Sequence, residues 1–112
     1  MNSNLNIVRG QTGIISITVT SKPEVNNIIW KKGTGSTAKH IQFIGSTKYE
    51  STTLINRATL TIINADESDS GFYTCIAYNE YSQGSAVLRI NVGGMFSFFS
   101  KYISFHIHIS HY

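Results

Sequence analysis

The sequence has almost none of the residues that announce a chemistry. Its 112 residues hold one cysteine and one proline. A single thiol cannot close an intrachain disulfide, so the cysteine count leaves the redox compartment undetermined. Charge is scarce: Asp, Glu, Lys and Arg make up 13% of the chain, nine basic residues against six acidic ones. The basic residues are scattered instead of gathered into a patch, which excludes the footprint of a nucleic-acid binder. No apolar run approaches the roughly 18 residues of a membrane span. The start MNSNLNIVRG lacks the charged beginning, apolar run and small-residue cleavage site of a secretory leader, and no Asn-x-Ser/Thr acceptor occurs. No phosphate loop, zinc spacing or nucleophile elbow is present, and His40 is the only histidine before the C-terminal stretch. An enzyme, a cofactor and a small-molecule substrate are therefore not expected.

What remains is β-prone sequence. Apolar runs are expected as strands at residues 5–9, 13–20, 26–32, 40–44, 47–50, 57–63, 71–79 and 84–92, and no segment keeps a helical 3.6-residue period. The stretches SKPEV, KGTGSTAK and NADESDS separate them with turn residues, including Pro23, Gly33 and Gly35. Alternation assigns faces: Ile15, Ile17 and Val19 point one way from their strand, and Leu60 pairs with Ile62. Tyr73, Cys75 and Ala77 likewise line up, as do Ala86, Leu88, Ile90 and Val92, while Trp30 is in phase with Ile28. A chain of this length supports one core, so these rows are expected to face each other as two layers of an all-β sandwich.

Four residues sharpen the expectation. Asp69, Gly71, Tyr73 and Cys75 spell D-x-G-x-Y-x-C, with Trp30 upstream and L-x-I at Leu60 and Ile62. Over residues 5–92 the pattern resembles the immunoglobulin superfamily, and the spacing is most similar to its I-set type. The resemblance implies a two-sheet Greek-key sandwich in which the Trp packs on the link between sheets and the Tyr pins a corner with its hydroxyl. It also implies a basic partner for Asp69, with Arg57 and Lys48 both eligible. Residues 1–4 are expected to be disordered.

The same resemblance places a second cysteine where this chain has Val19, 56 residues before Cys75. Cys75 is then expected as a reduced, buried, apolar side chain beside Val19 and Trp30. A bridge closing that loop would contribute on the order of 4 kcal/mol, of which burying a valine recovers about 2 kcal/mol. The expected product is a foldable but weakened sandwich. In the turn after Cys75, Ser82 stands where the family commonly has glycine. A left-handed Ser costs about 1 kcal/mol, which favours a longer hairpin centred nearer Gly84.

Function is expected to be recognition. Ile29, Lys31, Phe72, Ile76, Tyr78, Val87 and Arg89 alternate outward from their strands and form a candidate face for a protein partner, homophilic or heterophilic. The loop tips SKPEV and NEYSQ come second, and strand addition at the edges of the first and last runs third. The leading expectation is a cell-adhesion or recognition module, extracellular or at the cell surface, as a fragment of a larger multidomain protein. The alternative is a structural domain of an intracellular filament or muscle protein, cytoplasmic or sarcomeric, where the resembled family commonly lacks the bridge.

After Gly93 the composition changes to an aromatic, His-rich tail, 93–112. Three readings stay open for it: sequence outside the domain, a strand docked on the exposed sheet face, or a remainder comprising metal capture by His106, His108 and His111, or a membrane-surface role.

Overall fold

The structure, a computed structural model, describes residues 4–94 and 101–109. Nine strands follow in chain order: β1 (Asn4–Val8), β2 (Gly13–Ser21), β3 (Asn27–Lys32), β4 (Lys39–His40), β5 (Tyr49–Leu54), β6 (Arg57–Ile62), β7 (Gly71–Tyr78), β8 (Gln83–Gly93) and β9 (Tyr102–Ile109). They form a five-stranded sheet ordered β1-β8-β7-β3-β4 and a four-stranded sheet ordered β5-β6-β2-β9. The all-β sandwich expected from alternation is what the chain adopts.

Period-two burial is the local cause. In β6 the sequence RATLTI buries Ala58, Leu60 and Ile62 and leaves the residues between them more exposed. In β2 Ile15, Ile17 and Val19 face the same interior, met across the gap by Trp30, Tyr73, Cys75, Leu88 and Ile90. One continuous core results, with β1 adding Leu5 and Ile7.

Several expectations are corrected. Asn4, grouped with a disordered start, is the first residue of β1, paired in parallel with Arg89 of β8; residues 1–3 lie outside the described residues. The strand expected at 40–44 is only Lys39–His40. The strand expected at 47–50 is β5, shifted to Tyr49–Leu54. Its sequence STTL hides the strand because every residue after Tyr49 is exposed, so no alternation is selected. The last run, β8, is not an edge: it lies between β1 and β7.

The hairpin between β7 and β8 is short, with Tyr78 opposite Gln83. The Asn79 side chain makes the turn: its Oδ1 accepts from the backbone amides of Tyr81 and Ser82, both at 2.8 Å, and the Asn79 backbone N–H donates to the Ser82 carbonyl at 3.0 Å. An Asx-type turn needs no left-handed residue at position 82, so Ser82 is accommodated and the hairpin is not centred on Gly84.

The tail does not dock on the outer face of the five-stranded sheet. Residues 102–109 add to the other sheet as β9, parallel to β2, from Ile14 opposite Tyr102 to Ser21 opposite Ile109. Residues 95–100 and 110–112, including His111, lie outside the described residues.

Candidate functional site

The two faces of β7 carry the two sets of residues singled out in the sequence. On the inner face Tyr73, Cys75 and Ala77 are fully buried, and Trp30 of β3 is the register partner of Cys75. Val19 and Leu60 enter the same core from the opposite sheet. The indole N–H of Trp30 has no acceptor among the described residues, a desolvation cost of about 1–3 kcal/mol that the packing must offset. Cys75 is a free thiol.

Burial alone pushes the Cys75 thiol up to about 12 from its ordinary 9.0. The nucleophilic thiolate is thus suppressed at neutral pH. Native protein at pH 8 is expected to resist a thiol reagent, with labelling becoming fast only when denaturant is added; rapid labelling without denaturant would refute the buried assignment. The raised value also means that the fold favours the protonated thiol. Its contribution is complete below about pH 9 and is lost as pH rises toward 12, at up to about 1.4 kcal/mol per pH unit. Cys75→Ala should therefore flatten the alkaline limb of a stability-versus-pH curve.

At one end of the sandwich the corner residues converge on Asp69, 2% exposed. Tyr73 donates its hydroxyl to the Asp69 carbonyl at 2.7 Å. The Asp69 carboxylate accepts from Lys48 Nζ at 2.8 Å, from the Asp66 amide at 2.9 Å and from the Tyr49 hydroxyl at 3.3 Å. Asp66 in turn accepts from the Ser68 amide and hydroxyl, so Asp66 and Asp69 cap one short 3₁₀ turn reciprocally. The basic partner is Lys48; Arg57 starts β6, exposed, opposite Thr18 and Leu54. Burial works against the Lys48 ammonium, yet the hydrogen bond and charge of Asp69 outweigh it and hold its pKa above 10.5. Hydrogen bonds from Ser68 hold the Asp66 carboxyl below 3.8. Gly71 follows with φ of +138°, a backbone region that side chains rarely adopt.

The outer face brings the seven candidate binding residues onto three adjacent strands. Ile29 of β3 lies opposite Ile76 of β7, and Phe72 of β7 opposite Arg89 of β8. The Arg89 guanidinium sits 5.8 Å from the centre of the Phe72 ring, within cation–π range. Val87 and Lys31 flank Thr74 from either side. Phe72, Val87 and Arg89 are exposed, whereas Ile29, Lys31, Ile76 and Tyr78 are half-buried by their neighbours. An open depression of about 520 Å³ lies on the β3 side of this face, between Ile29, Lys31, His40 and Tyr78. His40, next to Lys31 through β4, had not been grouped with this face because strand pairing is invisible in one sequence.

His106 and His108 are both exposed on β9, and His106 Nε2 lies 2.7 Å from Thr20 Oγ1. Among the described residues no group of three His, Cys, Asp or Glu side chains is arranged to hold a metal, and no helix is long and apolar enough to cross a membrane.

The family model for the immunoglobulin I-set domain matches residues 1–92. The chain belongs to that family. Solved structures agree with the I-set assignment at the level of fold. Titin domain M4 is 22% identical, with 82% of this chain covering 90% of that one at a TM-score of 0.68. Titin domain M7 is 24% identical, with 80% covering 84% at 0.68. The twitchin kinase region from C. elegans is 22% identical at a TM-score of 0.65, and there the I-set match spans 81% of this chain but 15% of the other. The bridge-less core and the Asp69 corner are thus features of an I-set domain, a family without a characteristic catalytic site.

Proposed function

We propose that this I-set domain is a non-enzymatic structural module of a filament-type intracellular protein, and that its β3–β7–β8 face contacts a protein neighbour. The observation that carries the reading is the core around Cys75: Val19, Trp30 and a protonated thiol are packed to 3% exposure or less without a disulfide. A domain held together by burial alone is suited to a reducing compartment, where a bridge would not persist. Domains of titin and twitchin, to which this chain is similar in fold, point the same way. The leading expectation from sequence, an adhesion module at the cell surface, draws support only from the exposed aromatic and aliphatic side chains, and those serve a filament contact equally well. Phe72 and Val87, 45% and 42% exposed, are the proposed anchors, with Arg89 held against Phe72.

Cell fractionation tests both parts. The chain, tagged at its N-terminus, is expected in the detergent-resistant cytoskeletal fraction and absent from the pool that a membrane-impermeant biotin reagent labels on intact cells. Replacing Phe72 and Val87 together by Ala should release it into the soluble fraction at only a small cost in melting temperature, because neither side chain belongs to the buried core. Recovery from the surface-labelled pool would reinstate the adhesion reading.

A further inference from the structure

The five-stranded sheet ends in a strand too short to cover its neighbour. β4 pairs with only Lys31 and Lys32 of β3, and the Ile41 N–H extends the contact by one bond, to the Trp30 carbonyl at 3.0 Å. Beside residues 27–29 no strand follows on that side among the described residues. Parity gives the direction of the free backbone groups. The Gly33 N–H donates to the Phe72 carbonyl of β7, whereas the Trp30 carbonyl accepts from Ile41 on the other side. Odd-numbered residues of β3 therefore bond to β7, and even-numbered ones turn their N–H and C=O outward. Ile28 thus offers a donor and an acceptor to an added strand.

Two hollows meet at this edge. The larger, about 520 Å³, lies on the outer face between Lys31, His40 and Tyr78. The smaller, about 210 Å³, lies between the edges of the two sheets, with Ile28, Trp30, Ile41 and Phe43 as its apolar walls and Ser51 and Thr53 of β5 opposite. Ile29 and His40 border both. Successive side chains of an extended strand point to opposite faces, so a strand laid along Ile28 sends them into the two hollows in turn.

Charge and lining specify those side chains. The strands of this sheet carry Lys31, Lys32, Lys39, His40 and Arg89 and not one Asp or Glu. Lys32 is engaged, donating to the Ser68 carbonyl. Lys31 and Lys39 join none of the ion pairs among the described residues, which gather around Asp66, Glu67 and Asp69. The outer hollow therefore suits a carboxylate, and the inner one an aliphatic side chain.

We propose that the free edge of β3 accepts an extended segment of a partner protein in which acidic residues alternate with aliphatic ones, bound by strand addition at Ile28. This rests on the reading of the outer face as a protein contact and names the chemistry of the partner. Main-chain hydrogen bonds supply the attachment, and the two hollows select the sequence. Lys31 and Lys39 attract the acidic segment, so its affinity falls as salt is raised.

A capped heptapeptide alternating glutamate with valine is the probe, titrated into the isotopically labelled full chain and followed by NMR. Saturable shifts are expected at residues 27–29, Lys31 and His40, and the Ile28 amide should exchange quickly with deuterium in the free chain and slowly in the complex. Lys31→Glu combined with Lys39→Glu should weaken binding about tenfold. Two control peptides keep the test independent of that variant: one alternating lysine with valine should not bind, and one with its glutamates gathered in a block should bind about tenfold more weakly. Equal binding of the block peptide would mean attraction by charge without an added strand, and would overturn the proposal. So would an Ile28 amide left unprotected at saturation. Phe72→Ala with Val87→Ala should leave the peptide affinity unchanged, because Phe72 lies at the far end of β7 from Ala77, the register partner of Ile28, and Val87 a strand beyond. A peptide that fails to bind while that pair still releases the chain from the cytoskeletal fraction overturns the edge site and leaves the filament reading in place. A peptide that binds at Ile28 while the pair releases nothing supports the edge site and removes the proposed anchors.

Discussion

Oxidised Val19→Cys protein is expected to be more stable than wild type by up to about 4 kcal/mol, and to return to slightly below wild type on reduction. Val19 and Cys75 enter one core from opposite sheets, on β2 and β7, and both are almost completely buried. A bridge between them would close the 56-residue separation in the unfolded chain and so lower the entropy of that state. The reduced variant gives up the larger valine side chain for a thiol, a loss on the order of 1 kcal/mol. Denaturant titrations with and without reductant measure both quantities on the same sample. Equal midpoints under the two conditions, with free thiols still counted after oxidation, would mean that the two side chains do not meet across the sheets.

Asp69→Ala should lower stability by about 1–3 kcal/mol, the cost of leaving buried donors without their acceptor, while the partly exposed Lys48 ammonium returns to water. Three donors converge on the Asp69 carboxylate: Lys48 Nζ, the Asp66 amide and the Tyr49 hydroxyl. The substitution leaves the Asp66 amide and Tyr49 without that acceptor at a corner that also anchors Tyr73. Lys48→Met should cost a comparable amount, because it leaves the buried Asp69 carboxylate without its cation although the Asp66 amide still reaches it, and Arg57→Ala should stay within about 0.5 kcal/mol as an exposed change. Circular-dichroism melts of the three variants rank them directly. A cost for Arg57→Ala equal to that of Lys48→Met would contradict the assignment of Lys48 as the partner. The pH dependence has a worked sign at this corner. The Asp66 pKa is depressed on folding, so its share of stability is present above about pH 4 and lost as pH falls further. The Lys48 pKa is raised, so its share is present at neutral pH and lost as pH climbs beyond about 10.5.

Strands whose side chains face opposite environments were readable residue by residue. β6 and β7 alternate because one face meets the core and the other meets water, so Leu60, Tyr73 and Cys75 could be placed inward before any pairing was known. β5 was missed in its greater part because its residues beyond Tyr49 all face water, and nothing there selects apolar side chains at every second position. The outer face was legible as a set of residues, although four of the seven are half-buried, because the cover they receive comes from neighbours on adjacent strands. Gly84 was noticed for the wrong reason: glycine after a turn suggests a left-handed backbone, whereas here it makes room for a strand arriving from the opposite sheet.

The order of apolar and polar residues by itself determined that this chain makes a two-layer β structure, with Trp30, Cys75 and Tyr73 inside, while the place of Asp69 at a corner followed from the resemblance to the immunoglobulin superfamily. That information is local, since a period of two is written in neighbouring residues. Tertiary structure decided which strands lie side by side: that Lys48 and not Arg57 reaches Asp69, and that residues 102–109 run parallel to β2 along its edge. Each of those choices depends on contacts between segments far apart in the chain. An alternating segment such as YISFHIHI offers an apolar row to any sheet, and only the space left beside β2 and over Gly84 specifies where it goes.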